Sequence, residues 1–167
     1  MNMFCYQCEQ TSKGTGCTVT GVCGKDPATA AMQDLLVHAA KGLAMHLHRA
    51  RQAEVRDAEA DRFLIEALFT TVTNVNFDPE RLAGLVRRAA ALRDRVRTAW
   101  LDASRAAGRE VEAPGAPADF QPADDLDGMV RQGEAVGIEG RRARRGEDLA
   151  GVEELILYGL KGMAAYA

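Results

Sequence analysis

Four cysteines, Cys5, Cys8, Cys17 and Cys23, are the residues of this chain most able to do chemistry, and no cysteine follows Cys23. A disulfide scaffold spreads its cysteines to staple distant loops and belongs to exported proteins. Here all four crowd one short segment, and no apolar run precedes them to serve as a secretory signal. Thiols this close together read as one metal site. Their spacing is C-x2-C-x8-C-x5-C. Structural zinc usually takes two short C-x2-C knuckles, and only one occurs here. Iron–sulfur clusters accept irregular gaps, because the thiolates bind different iron corners. The spacing favours iron–sulfur and leaves zinc open.

The residues between the cysteines suit that task. Gly14, Gly16, Gly21 and Gly24 allow close approach of backbone N–H groups to inorganic sulfide, as do the small polar Thr11, Ser12, Thr15, Thr18 and Thr20. Lys13 and Lys25 are placed to offset a cluster's negative charge. Asp26 followed by Pro27 is a helix start, and the positive end of that helix would face the same region.

The elements that must carry this loop read as all-α. Residues 1–25 form the cysteine-rich iron–sulfur loop, and residues 26–107 a three-helix bundle. The first helix has an apolar stripe at Met32, Leu36, Ala39, Leu43, Leu47 and Ala50. The second is expected over 59–71 and should end in the β-branched stretch 70–77 (TTVTNVNF). Asp78-Pro79 opens the third, which runs to about Ala106 along Leu82, Val86, Ala89, Leu92, Val96 and Ala99. Residues 108–148, rich in proline and glycine, read as a linker with one short helix near 124–134. Within it Arg141, Arg142, Arg144 and Arg145 are flanked by Glu139, Glu147 and Asp148, which marks a solvated loop rather than an anion-binding patch.

Residues 149–167 read as the first helix of a second, incomplete bundle. Residues 153–166 (EELILYGLKGMAAY) repeat 33–46 (QDLLVHAAKGLAMH), with Leu35/Leu155, Lys41/Lys161, Gly42/Gly162 and Ala44/Ala164 identical. No cap or proline follows Met163, so the polypeptide is expected to stop in mid-helix. Leu155, Ile156, Leu160 and Met163 then form an adhesive face, and deleting 149–167 should improve solubility.

Other residues carry less. His38, His46 and His48 lie on the first helix without metal-pair spacing, Trp100 and the Phe63/Phe69 pair read as core, and Asp61 and Glu66 as solvated faces. No phosphate-loop or dinucleotide motif is present. The 167 residues are 47% hydrophobic and 27% charged, with 21 basic against 24 acidic side chains. That balance gives no bias towards nucleic acid, and no apolar run is long enough for a membrane span. A cytoplasmic location is expected.

MFCYQCEQT at 3–11, GCT at 16–18 and GVCGK at 21–25 resemble the opening of the hybrid-cluster proteins, also called prismane proteins or hydroxylamine reductases. Leu35-Leu36, TNVNF at 73–77 and YGLKGMAAY at 158–166 extend that resemblance along the chain. It implies that Cys5, Cys8, Cys17 and Cys23 ligate a 4Fe-4S cluster, the form found with this short spacing, and that the helices begin a pair of three-helix bundles. It also implies a longer parent enzyme that reduces hydroxylamine to ammonia and water, with nitric oxide as a further substrate, fed by an electron-donor protein. The parent's catalytic centre is a hybrid iron–sulfur–oxygen cluster held by later cysteines, a histidine and glutamates. This chain has no later cysteine, so catalytic residues are expected to be none here, and its role to be electron transfer. The alternatives are a zinc-holding structural or interaction module, or a small stand-alone iron–sulfur electron carrier.

Overall fold

A computed structural model of the chain describes residues 3–8, 14–73 and 75–167. Thr11, Ser12 and Lys13 of the loop, and Asn74, lie outside the described residues. Among the described residues six helices follow one another: α1 (Pro27–Gln52), α2 (Ala58–Thr70), α3 (Pro79–Ala106), α4 (Leu126–Val136), α5 (Ile138–Arg145) and α6 (Glu147–Ala164). The architecture is all-α, and the described residues hold no strand beyond one isolated antiparallel bridge between Cys5 and Cys17.

The first four helices begin on aspartates. Asp26 accepts from Thr29 N–H (2.6 Å), Asp57 from Glu59 and Ala60, Asp78 from Glu80 and Arg81, and Asp125 from Gly128. Each bond satisfies donors that the first helical turn cannot pair internally. α1 and α3 also carry proline at the start, where its missing N–H costs nothing. α2 stops at Thr70, where the β-branched stretch begins.

The core is built around α1, which packs against α2, α3 and α4. Met32, Leu35, Leu36, Leu43 and Leu47 of α1 are fully enclosed with Phe63, Leu82, Val86, Val96, Trp100 and Met129. The segment expected as a linker is therefore partly core. α4 puts Met129 and Val130 into the same cluster, because its apolar stripe meets a face of α1 left open by α2 and α3. A Cβ at Gly133 would fall inside the surface of the Ala31 carbonyl, and one at Gly42 inside that of the Pro117 carbonyl. These two glycines let α4 and the chain before it lie directly on the α1 backbone.

Two further expectations are corrected. The arginine run is not a loop but α5, where helix formation brings Arg141 and Arg145 onto Glu154 and Glu153 of α6. Phe69 is exposed while its partner Phe63 is buried, because α6 covers only part of α2.

α6 is docked, while the apolar face expected to be adhesive stays exposed. Ala150, Leu157 and Lys161 point inward, while Leu155 (73% exposed) and Met163 (71%) point to solvent. α6 touches α2 and α5 but stands off α1, leaving a groove of about 790 Å³ lined in part by Val37, Met45, Leu64, Leu68, Ile156 and Leu160. Deleting 149–167 would therefore strip docked contacts along with the exposed ones.

Gly133→Ala should lower the thermal midpoint, with a cost of about 1–3 kcal/mol for forcing a methyl group between α4 and α1. An unchanged midpoint by calorimetry would show that the helices can part freely. The Leu155→Glu, Met163→Glu pair should raise solubility, measured as soluble yield and light scattering, while leaving the unfolding free energy within about 0.5 kcal/mol of the parent.

Candidate iron–sulfur loop

The Cys5 and Cys17 backbones exchange both hydrogen bonds, Cys5 N–H to Cys17 O at 3.0 Å and Cys17 N–H to Cys5 O at 2.7 Å. This pairing brings two of the four thiol-bearing residues side by side, with Cys17 packed under Met3 and against Ala30 of α1. Gly16 admits the Phe4 ring so closely that a Cβ would lie 2.8 Å from it. Gly24, at φ +88°, takes the left-handed conformation that closes the turn carrying Cys23. Its N–H bonds to the Gly21 carbonyl (2.8 Å), and Gly21 N–H bonds to Lys25 O (2.8 Å). Cys17 is 4% exposed, Cys5 and Cys8 are half-buried, and Cys23 is exposed.

Among the described residues, no three cysteine, histidine, aspartate or glutamate side chains converge as a metal-ligand set. The protein alone thus pairs Cys5 with Cys17, and leaves Cys8 and Cys23 on the same loop without gathering all four. By chemistry the donor set fits a thiolate-ligated cluster. The loop's surroundings fit it as well. Lys25, only 2% exposed, lies with its Nζ 3.6 Å from Cys5 Sγ and donates to Gln33 Oε1 at 2.7 Å. Gln33 in turn donates to the Asn76 carbonyl (2.8 Å), so α1 fixes the lysine head from below.

Behind Cys5 lies a cavity of about 40 Å³, lined among others by Lys25, Gln33, Asp34, Arg141, Glu154 and Lys161. It is large enough for water rather than an organic substrate. α6 closes it. Tyr6 donates its hydroxyl to Glu154 (2.8 Å), which also pairs with Arg141, and the Arg142 guanidinium lies over the Phe4 ring. The Gln7 amide, oriented to satisfy both its atoms, donates to the Thr71 carbonyl (2.7 Å) and accepts from Lys161 Nζ (3.2 Å).

Burial and the bond to Glu154 push the Tyr6 phenol above its ordinary range. Burial pushes the Asp34 carboxyl up to about 6, against the pull of Lys161 and Arg141. Burial likewise draws the Lys161 ammonium down to about 8, against the pull of Asp34. At neutral pH both remain charged.

The four cysteines and Lys25 are legible from the sequence, but Asp34, Glu154 and Lys161 are not singled out there. The available signal is phase: Glu154, Leu157 and Lys161 follow three- and four-residue steps, which puts two charges on a buried stripe. The histidines play structural parts. His46 is buried with Nε2 3.3 Å from the Ala118 carbonyl, His38 meets Phe120 edge-on, and His48 is exposed beside Gln52.

Asp34 gives a signed pH effect. Its folded-state pKa, about 6, is above its ordinary 3.8. Its contribution to stability is therefore fully present below the unfolded value and is lost as pH rises through about 6. Between about pH 5 and pH 7.5 the parent should lose roughly 1–3 kcal/mol relative to Asp34→Asn. Thermal melts of the two proteins that run parallel across that window would contradict the assignment.

The model of the Prismane/CO dehydrogenase family matches residues 3–167. The chain is 50% identical over 165 residues to a hydroxylamine reductase of Rhodospirillum rubrum, covering 99% of this chain and 30% of that protein. It is 51% identical over 169 residues to one of Burkholderia ambifaria and 48% over 165 to one of Methanocella arvoryzae, with the same coverage. The chain thus spans about 30% of the length of the curated relatives it matches. A match running from the first described residue to the last, through both the cysteine loop and the helices that carry it, means that this chain belongs to the Prismane/CO dehydrogenase family.

Proposed function

We propose that this chain is the iron–sulfur, electron-transfer portion of a hydroxylamine reductase-type oxidoreductase, with Cys5, Cys8, Cys17 and Cys23 ligating one 4Fe-4S cluster. The observation that carries the reading is the buried Lys25 ammonium fixed by Gln33 beside the paired Cys5 and Cys17. A buried cation needs a negative partner, and a thiolate-ligated cluster is one. Bound there, the cluster would supply reversible one-electron transfer.

The chain's own residues do the rest. The Cys5–Cys17 bridge fixes two ligands, the turns at Gly16 and Gly21–Gly24 bring backbone close to the sulfurs, and Met3 and Ala30 keep water from Cys17. Val19 and Val22 are exposed near Cys23 and offer an electron-donor protein a small apolar landing. For the whole enzyme the reaction is NH2OH + 2 e− + 2 H+ → NH3 + H2O, with nitric oxide reduction as a further activity, at a hybrid iron–sulfur–oxygen cluster outside the four-cysteine site. The residues 1–25, 26–107, 108–148 and 149–167 would then be the loop, bundle, connecting segment and start of the next helical unit of one cytoplasmic enzyme.

Anaerobic reconstitution with iron and sulfide should give absorption near about 400 nm that bleaches with dithionite, with about four irons and four sulfides per chain. Cys5→Ala or Cys17→Ala should abolish it. A colourless protein carrying one zinc per chain under the same conditions would overturn the reading in favour of a zinc-holding structural module.

A further inference from the structure

Among the described residues, the charges around the cavity behind Cys5 do not balance. Glu154 is taken up by Arg141 and by the Tyr6 hydroxyl. Lys25 and Lys161 are 2% and 8% exposed, and among the described residues neither has a carboxylate within ion-pair distance. Asp34 lines the same cavity and is the one remaining carboxylate there, so two buried ammonium groups face one acid. An uncompensated charge in such a place is costly, and the surplus is positive. Lys161 lines the cavity together with Cys5, and its Nζ is held by the Gln7 side chain, one residue from Cys8. α6 thus delivers a fixed positive charge to the inner side of the cysteine loop, and α1 delivers a fixed negative one.

We propose that Lys161 and Asp34 are positioning residues that set the reduction equilibrium of the cluster at the cysteine loop, Lys161 favouring the reduced form and Asp34 the oxidised form. This inference rests on the iron–sulfur reading above. Reduction adds one electron to a group already held by four thiolates, so the reduced state gains more from a nearby cation and loses more to a nearby anion. Lys161 is buried and Asp34 half-buried, so their interaction with the loop is screened by salt less than that of a surface pair. Exposed charges elsewhere on the chain, such as the Arg105–Asp102 pair, have no comparable effect.

The test is a redox titration of the reconstituted chain at pH 7, followed by the bleaching of the visible absorption. Lys161→Gln should shift the oxidised-to-reduced ratio at a fixed potential about tenfold towards oxidised, which is about 59 mV for one electron. Asp34→Asn should shift it in the opposite direction, and Lys161→Arg should restore the parent value. A purely structural role would move both substitutions the same way or leave the midpoint alone, and either result overturns the inference while the cluster itself stands. Should Lys161→Gln fail to load, loading by Lys161→Arg supports a requirement for the charge, and failure of both variants shows a packing role and overturns the inference. A parent chain that takes up no cluster overturns the iron–sulfur reading, and this inference with it.

Discussion

The close seating of Gly133 of α4 on the Ala31 carbonyl of α1 is the constraint from which the site is built. It holds only because one partner lacks a side chain. Next to Ala31 stands Ala30, which packs on Met3 and Cys17, and two residues further along α1 stands Gln33, which holds Lys25. The first two turns of α1 therefore serve two masters: one side seats α4, and the other is the floor of the cysteine loop. With α2 and α3 closing the remaining faces, α1 cannot shift without disturbing both, so Cys17 and Lys25 are seated on a core helix.

From that floor the site is completed by a helix distant in sequence. α6 brings Glu154 to Tyr6 and Lys161 to Gln7, so the two ends of the chain meet at the cavity behind Cys5. Its docking is polar where most helix docking is apolar, and that explains why its most hydrophobic residues remain outside. Leu157 supplies the apolar contact, while the charges beside it supply the register. A docking of this kind is directional, since each charge must meet its opposite or a hydrogen-bonding group.

What the sequence makes legible follows from how local each signal is. Asp26-Pro27 and Asp78-Pro79 announce their helices within three residues, because a cap is a contact between near neighbours, and α1 and α3 start where those pairs stand. The four cysteines announce chemistry by crowding. α5 was hidden, because Arg141, Arg142, Arg144 and Arg145 look like a solvated run until α6 presents Glu153 and Glu154 to them. The docked face of α6 was hidden for a related reason. Both faces of that helix carry apolar residues, and the inward one is held by Tyr6 and Gln7, more than a hundred residues away. The stretch 108–148 misled through its prolines and glycines, yet Gly133 within it, and Gly42 of α1 opposite Pro117, permit close contact with α1.

The unequal exposure of the thiols has a consequence of its own. Cys17 sits in a dry corner beneath Met3, and Cys23 faces water at the tip of its turn. The effective dielectric constant therefore falls across the width of one small loop. Negative charge placed towards Cys5 is close to Lys25, whereas the same charge towards Cys23 is shared with solvent. The loop thus has an electrical polarity: its inner side, at Cys5, offers a fixed positive charge, and its rim, at Cys23, offers water.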